Sequence, residues 1–234
     1  MSAQLQNIRS LVIEEGLDEP TEFEEFQDKY ETVRQIGSGS FGSVYLIQDR
    51  RTKELAAAKY LRQTKEHVRT EAAILQKLIQ SAFIVQLVGL YESSLNSVLV
   101  TEYLSGGDLV TRTASDEYCL TERKCQIFIK QIVRGVQFIH SQGIIHLDLK
   151  PFNIMFANPM DDYNLRIIDF GLAEELKVGE SKVLISMCGT LEFMSPEVMD
   201  CKFASAASGL TSPAIVTTPT TTQCNTTSTQ RRRR

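Results

Sequence analysis

Apolar residues recur along this chain in two rhythms, and the changes between them divide it. Residues 1–16 carry Leu5, Ile8, Leu11 and Val12 at helical spacing and close on Gly16, and the acidic stretch from Asp18 to Asp28 reads as a solvated linker. Residues 1–27 are therefore expected to be a helix and a linker. From Tyr30 short runs broken by turn residues predict strands: ETVRQI, then VYLIQD after a glycine cluster, then ELAAAKYL. Helical period returns over residues 64–80, with Val68, Ala72, Leu75 and Ile79 on one face, and two further strands follow in FIVQLVGLYE and SVLVTEYL. Residues 28–104 thus predict a small lobe of antiparallel sheet with one helix.

After Gly106 and Gly107 the pattern turns helical. Thr121 is placed as an N-cap, and Ile127, Ile129, Ile132, Val136 and Ile139 form an apolar face that runs to His140. Residues 105–208 predict a second, mainly helical lobe, so the fold class is α+β. From residue 209 large apolar side chains thin out, and nine threonines lie between Thr211 and Thr229, so residues 209–234 predict a disordered tail.

The 234 residues are 42% hydrophobic and 23% charged, which suits a globular chain with a sizeable core. Charge is unevenly laid out: residues 1–31 hold nine acids against Arg9 and Lys29, while the last four residues are arginines. Without those four the sum is 21 minus 29, or -8, and an acidic body argues against nucleic acid as partner. Five scattered cysteines with no C-x-x-C pair, beside three histidines, indicate neither a disulfide framework nor a zinc site. No apolar run reaches the roughly 20 residues that cross a bilayer, and no signal peptide is recognised. The expected setting is the cytoplasm, with the nucleus left open by Arg231–Arg234.

Two patterns in the small lobe bear on chemistry. Gly37, Gly39 and Gly42 in GSGSFGSV fit G-x-G-x-x-G, and because a strand rather than a helix follows, they predict a hairpin whose amides lie over phosphates. A glycine-rich turn without a ligand is the plainer alternative. In AAAK, Lys59 falls on the third strand, where an ammonium reaches the phosphates of a nucleotide or simply faces solvent. On the following helix Glu71 is the candidate carboxylate partner, with Glu66 as competitor and a solvent-exposed carboxylate as the plainer alternative for both.

The segments IIHLDLKPFNIMF (144–156) and LRIIDFGLA (165–173) carry a family likeness. HLDLKPFN resembles the protein-kinase catalytic loop and IDFG its magnesium-binding turn, in the expected order after GSGSFGSV and AAAK. The resemblance implies a bilobal kinase fold and transfer of the γ-phosphoryl group of ATP, with magnesium, to a protein serine or threonine. It implies that Asp148 orients or accepts the proton of the acceptor hydroxyl, that Lys150 neutralises charge on the transferring group, and that Asn153 and Asp169 hold the metal. Lys59 and Glu71 complete the catalytic set. Nucleotide contacts are implied for Ile36, Gly37, Gly39, Gly42, Val44, Ala57 and Lys59 in the small lobe. Thr101 would be the gatekeeper, Glu102 to Leu104 the hinge and Asp108 a ribose contact, while Val44, Ala57 and Met155 would sandwich the adenine. Leu75, Leu87, His146 and Phe170 would stack as a column joining the lobes.

Lys150 and Thr190 in CGTLEFMSPE favour the serine/threonine type, and the wording of HLDLKP resembles the myosin light-chain, titin and death-associated kinases of the calcium/calmodulin-dependent group. The short path from Lys59 to Glu71 weighs against the death-associated members. Leu147 stands where many kinases have an arginine that pairs with a phosphorylated activation loop, which implies little dependence on such phosphorylation. Ser195, Pro196 and Glu197 fit the motif that closes the activation segment, and at Gly209 the motif pattern stops. The expected large lobe is therefore incomplete, its central helix leaves an apolar patch exposed, and calmodulin would act only on a longer form. The alternative function is a catalytically impaired product that binds nucleotide as a decoy or interaction module.

Overall fold

The computed structural model describes residues 22–39, 42–61, 63–93, 96–176, 182–185, 189–196 and 214–217. Its first element is helix α1 (Glu22–Lys29), which leads directly into β1 (Tyr30–Gly39). Strands β2 (Gly42–Asp49) and β3 (Leu55–Leu61), helix α2 (Lys65–Leu78), and strands β4 (Leu87–Glu92) and β5 (Ser97–Glu102) follow. The five strands form one antiparallel sheet in the order β1-β2-β3-β5-β4. Alternation along β3 divides its two faces, as a pleated strand requires. Ala56 and Ala58 are buried with Ile47, Val98 and Val100 on the outer face, which leaves Ala57 and Lys59 to the inner, cleft side.

Helix α1 lies where the acidic composition suggests a solvated linker. Its Phe26 is 3% exposed and packs on the rings of Tyr30, Tyr91 and Tyr60, with centroids at 5.4, 5.3 and 6.1 Å. Phe23 and Phe26 lie at helical spacing, with Tyr30 next at the start of β1, so one side of α1 is aromatic and closes the outer face of the sheet while Glu24, Glu25 and Asp28 are exposed. The helix expected within residues 1–16 lies outside the described residues.

The second lobe holds α3 (Leu109–Thr113), α4 (Glu122–Ser141), β6 (Ile144–Ile145), β7 (Ile154–Phe156), β8 (Leu165–Ile167) and β9 (Glu174–Glu175). Thr121 caps α4 as its sequence predicts, its hydroxyl accepting from the Lys124 amide at 3.3 Å. The buried side of α4 is set by Phe128, Gly135 and Ile139, whereas Ile129 and Val133 are 60% and 47% exposed. Ile129 therefore belongs to an apolar surface that no described residue covers. Pairs β6–β9 and β7–β8 are antiparallel two-stranded ribbons beside the cleft.

Strand β10 (Lys182–Ile185) pairs antiparallel with β11 (Ala214–Thr217). Four residues of the stretch expected to be disordered are thus a strand, consistent with the strand preference of the β-branched Ile215, Val216 and Thr217. The rest of 209–234, with the arginine run, lies outside the described residues. Among the described residues no helix is long and apolar enough to cross a membrane.

The lobes are joined by backbone as well as side chains. The loop between α2 and β4 bonds to β8, with the Val85 amide on the Ile167 carbonyl at 3.0 Å and the Ile167 amide on the Phe83 carbonyl at 2.8 Å. One apolar cluster runs from Leu61, Leu75, Leu87 and Leu99 through Phe170 to Phe156, Leu165 and Ile139.

Candidate active site

The cleft side of the sheet is built by register. Val44 lies opposite Lys59, which lies opposite Leu99, and Leu46, Ala57 and Thr101 make the next row. Directly opposed residues share a face, so Val44, Ala57, Lys59 and Thr101 are brought together. Gly37 pairs with Val44 and Gly39 with Gly42, which makes the glycine motif a β1–β2 hairpin and not a strand-to-helix turn. Ile36 is half-buried on β1 beside it. Gly42 has φ +147°, and a Cβ there would lie 1.9 Å from the Tyr60 carbonyl oxygen, so no side chain fits where the hairpin crosses β3.

Lys59 donates from Nζ to Glu71 Oε1 and to Asp169 Oδ1, both at 2.8 Å. Glu71 is 3% exposed on the inner side of α2, while Glu66 stands exposed in its first turn, which settles the choice between them. Burial opposes charge on both partners and pushes the Glu71 carboxyl upward. Burial also works against the Lys59 ammonium, but the Glu71 and Asp169 carboxylates outweigh it and raise its pKa. The two carboxylates thus fix the protonated Lys59 side chain in place on the cleft side of β3.

Asp148 is 6% exposed and its carboxylate is filled with donors. Oδ1 accepts from the Thr190 amide at 2.9 Å and hydroxyl at 2.8 Å; Oδ2 accepts from Lys150 Nζ at 2.6 Å and Asn153 Nδ2 at 3.1 Å. Burial alone would raise this carboxyl, yet the hydrogen bonds from Lys150 and Thr190 hold it below the usual carboxylate range. Lys150 also donates to the Thr190 hydroxyl at 2.7 Å, so the loop from Asp148 to Asn153 and the segment that carries Thr190 share one polar knot. Leu147, with φ +63°, adds no charge to it.

His146 ties Asp148 to the turn that carries Asp169. Its Nδ1 accepts the Asp148 amide at 3.3 Å, and its Nε2 donates to the Ile168 carbonyl at 3.1 Å. Its ring stands 4.8 Å from that of Phe170, and Leu75, Leu87 and Phe170 lie in one apolar cluster, so the expected column is assembled. Asn153 accepts the Ile168 amide on its backbone carbonyl at 2.9 Å, and its side-chain nitrogen bonds Asp148 O at 2.9 Å. The Asn153 amide oxygen and the Asp169 carboxylate are hard oxygen donors, and the backbone bond holds their segments side by side. Such a set fits magnesium, which takes one or two protein oxygens and completes its shell from phosphates and water.

On the other side of the cleft, Met155 and Asp108 form an isolated antiparallel bridge. Leu104 is buried at the end of the hinge. Asp108 caps α3, accepting the Thr111 amide at 2.9 Å on Oδ1 and its hydroxyl at 2.7 Å on Oδ2. Glu102 uses its side chain as well as its backbone: Oε1 accepts from the Gln86 amide at 2.9 Å and from Arg166 Nε at 3.3 Å, linking hinge and β8. Arg166 and Gln86 carry no motif that a sequence reading would pick out. Glu197 and the run from Lys202 lie outside the described residues.

Known proteins resemble this chain along most of its length. The family described as protein kinase domain matches residues 30–232, past Gly209 where the motif pattern by itself stops. The death-associated protein kinase dapk-1 of Caenorhabditis elegans is 36% identical over 202 residues, 82% of this chain and 14% of that protein. Smooth muscle myosin light chain kinase of Gallus gallus is 40% identical over 178 residues, 74% of this chain and 9% of that protein. Myosin light chain kinase family member 4 of Homo sapiens is 37% identical over 185 residues, 77% of this chain and 47% of that protein. The chain thus spans from about a tenth to about half the length of these relatives, and a death-associated kinase stands among them despite the short path from Lys59 to Glu71. The match over residues 30–232, on a five-stranded antiparallel sheet joined to a mainly helical lobe, makes this chain a member of the protein kinase family, of the serine/threonine branch that holds the myosin light chain and death-associated kinases.

Proposed function

We propose that the chain is an ATP-dependent protein serine/threonine kinase, moving the γ-phosphoryl group of ATP to a protein hydroxyl. The observation that carries this reading is the knot in which Lys150, Asn153 and Thr190 each donate to the Asp148 carboxylate within 3.1 Å. Phosphoryl transfer asks a protein for positioning and charge neutralisation more than for covalent help. Lys59, fixed between two carboxylates, offers its charge to the nucleotide phosphates. Asp148 stays ionised across the neutral range and orients the acceptor hydroxyl by accepting its hydrogen bond. Lys150, 2.6 Å from Asp148, puts a positive charge beside the oxygen that is to receive the phosphoryl group. Asn153 and Asp169 would hold magnesium, which when bound supplies further neutralisation of phosphate charge. The acceptor as a protein and the cytoplasm as the setting belong to this same reading.

Asp148→Asn tests it in the purified 234-residue chain. Transfer of labelled phosphate to a serine- or threonine-containing protein should fall by at least 100-fold while ADP affinity stays within twofold, since Asp148 acts on the acceptor and not on the nucleotide. Equal incorporation by parent and variant would assign the signal to a contaminant. A parent that binds ADP and transfers nothing would favour the nucleotide-binding decoy.

A further inference from the structure

Helix α3 has five residues and none of them is buried, yet the Arg112 side chain within it is only 14% exposed. Its guanidinium reaches away from the helix to two other segments. Nη1 donates to the Gly106 carbonyl at 3.4 Å and the Asn158 carbonyl at 3.0 Å, and Nη2 donates to the Pro159 carbonyl at 2.8 Å and to Asp162 Oδ1 at 2.6 Å. The group lies 4.3 Å from the centroid of the Phe156 ring. Asp162 is held in turn by Lys124 Nζ, 2.8 Å from its other oxygen, and so anchors the turn between β7 and β8 to the first turn of α4.

The two segments that Arg112 clasps are those that carry Asp108 and Met155. They meet edge to edge: Ser105 and Gly106 amides donate to the Ala157 and Phe156 carbonyls at 3.2 Å each, and the Phe156 amide donates to the Gly107 carbonyl at 2.9 Å. Their approach is so close that a Cβ on Gly106 would lie 2.5 Å from the Phe156 Cβ. Beyond these backbone bonds the seam continues only as the isolated Asp108–Met155 bridge. A planar fork that bonds carbonyls on both sides of this seam and lies over the Phe156 ring reinforces those backbone bonds, and a lysine with one point charge cannot make the same bonds.

We propose that Arg112 is a positioning residue for the adenosine end of the nucleotide, acting through the Asp108–Met155 seam that its fork holds closed. The proposal deepens the kinase reading and rests on it for the identity of the ligand. Arg112 acts on base and ribose through backbone, so its loss should weaken ADP and free adenosine by the same factor. A general loosening of the phosphate side would spare adenosine.

The test is calorimetric binding of magnesium-ADP and of adenosine to the full chain and to Arg112→Met, with steady-state transfer and thermal unfolding alongside. Arg112→Met keeps packing on Phe156 and removes every donor; both affinities should fall about tenfold, the size expected for losing charge-assisted bonds. The KM for ATP should rise by the same factor with kcat at saturating ATP within twofold. A folded Arg112→Met that binds adenosine as the parent does overturns the proposal and leaves a purely structural staple. Should that variant fail to fold, Arg112→Lys decides, because adenosine affinity unchanged in folded Arg112→Lys overturns it equally. A parent that binds ADP but transfers no phosphate sinks the kinase reading alone, and the binding comparison still decides the role of Arg112. A parent that binds neither ligand overturns both.

Discussion

His146 has no room to carry a charge. Its Nδ1 faces the Asp148 N–H and its Nε2–H faces the Ile168 carbonyl, so a second ring proton would meet a donor. Burial holds its pKa below the ordinary 6.5, only partly offset by the Ile168 carbonyl and the Asp169 and Asp148 carboxylates. In the unfolded chain the ring takes up its proton as pH falls through about 6.5, while in the folded chain it does so only lower. The unfolded state then binds more protons, and stability drops as pH falls below 6.5, by at most ~1.4 kcal/mol per pH unit for this one group. His140, also lowered by burial, adds in the same direction. The raised Glu71 carboxyl works in the opposite sense, so the His146 share is read by comparison: between pH 6.5 and 5 the parent should lose more Tm than His146→Gln does. Identical slopes would mean that the ring is protonated in place and that the hydrogen bonds around it are read wrongly.

Elements were legible in the sequence wherever a single segment carries its own signal. The β1–β2 hairpin follows from its glycines and the strand after them, α2 from a clean helical face, and the knot around Asp148 from one contiguous loop that brings Lys150 and Asn153 with it. The seam clasped by Arg112 could not be read, because three of its four partners lie 46 to 50 residues away and three of the four bonds go to backbone carbonyls, which have no identity in a sequence. Helix α1 was hidden for a different reason: its acids dominate the composition, while its role depends on two rings. Phe26 tests that role. Truncation to alanine empties a site enclosed by Tyr30, Tyr60 and Tyr91 and should cost about 3 kcal/mol of stability. ADP affinity should be unchanged at temperatures where the variant is folded, since Phe26 packs on the outer face of the sheet. An unaltered Tm would mean that α1 does not stay on the sheet in solution.

At the scale of the molecule the question is whether the lobes unfold together. The apolar cluster does not stop at the hinge: Leu75 and Leu87 of the small lobe share it with Phe170, Leu165 and Ile139 of the large one. Two backbone bonds tie the loop before β4 to β8, and the Glu102–Arg166 pair closes the hinge side. Separating the lobes would expose apolar surface on both and strand these groups, so unfolding should be one cooperative transition. A nucleotide that needs Lys59 from one lobe and the Asp108–Met155 seam from the other binds only the joined state. At 100 times its dissociation constant, such a ligand adds about 2.7 kcal/mol, which for a chain of this size raises Tm by roughly 5–10 °C. Differential scanning calorimetry with and without magnesium-ATP measures both quantities. Two transitions, of which only one moves with nucleotide, would mean that the lobes are separate folding units and that the cleft exists only while both happen to be folded. A single transition that ignores nucleotide would leave the fold intact but remove the ligand from it, and the kinase reading with it.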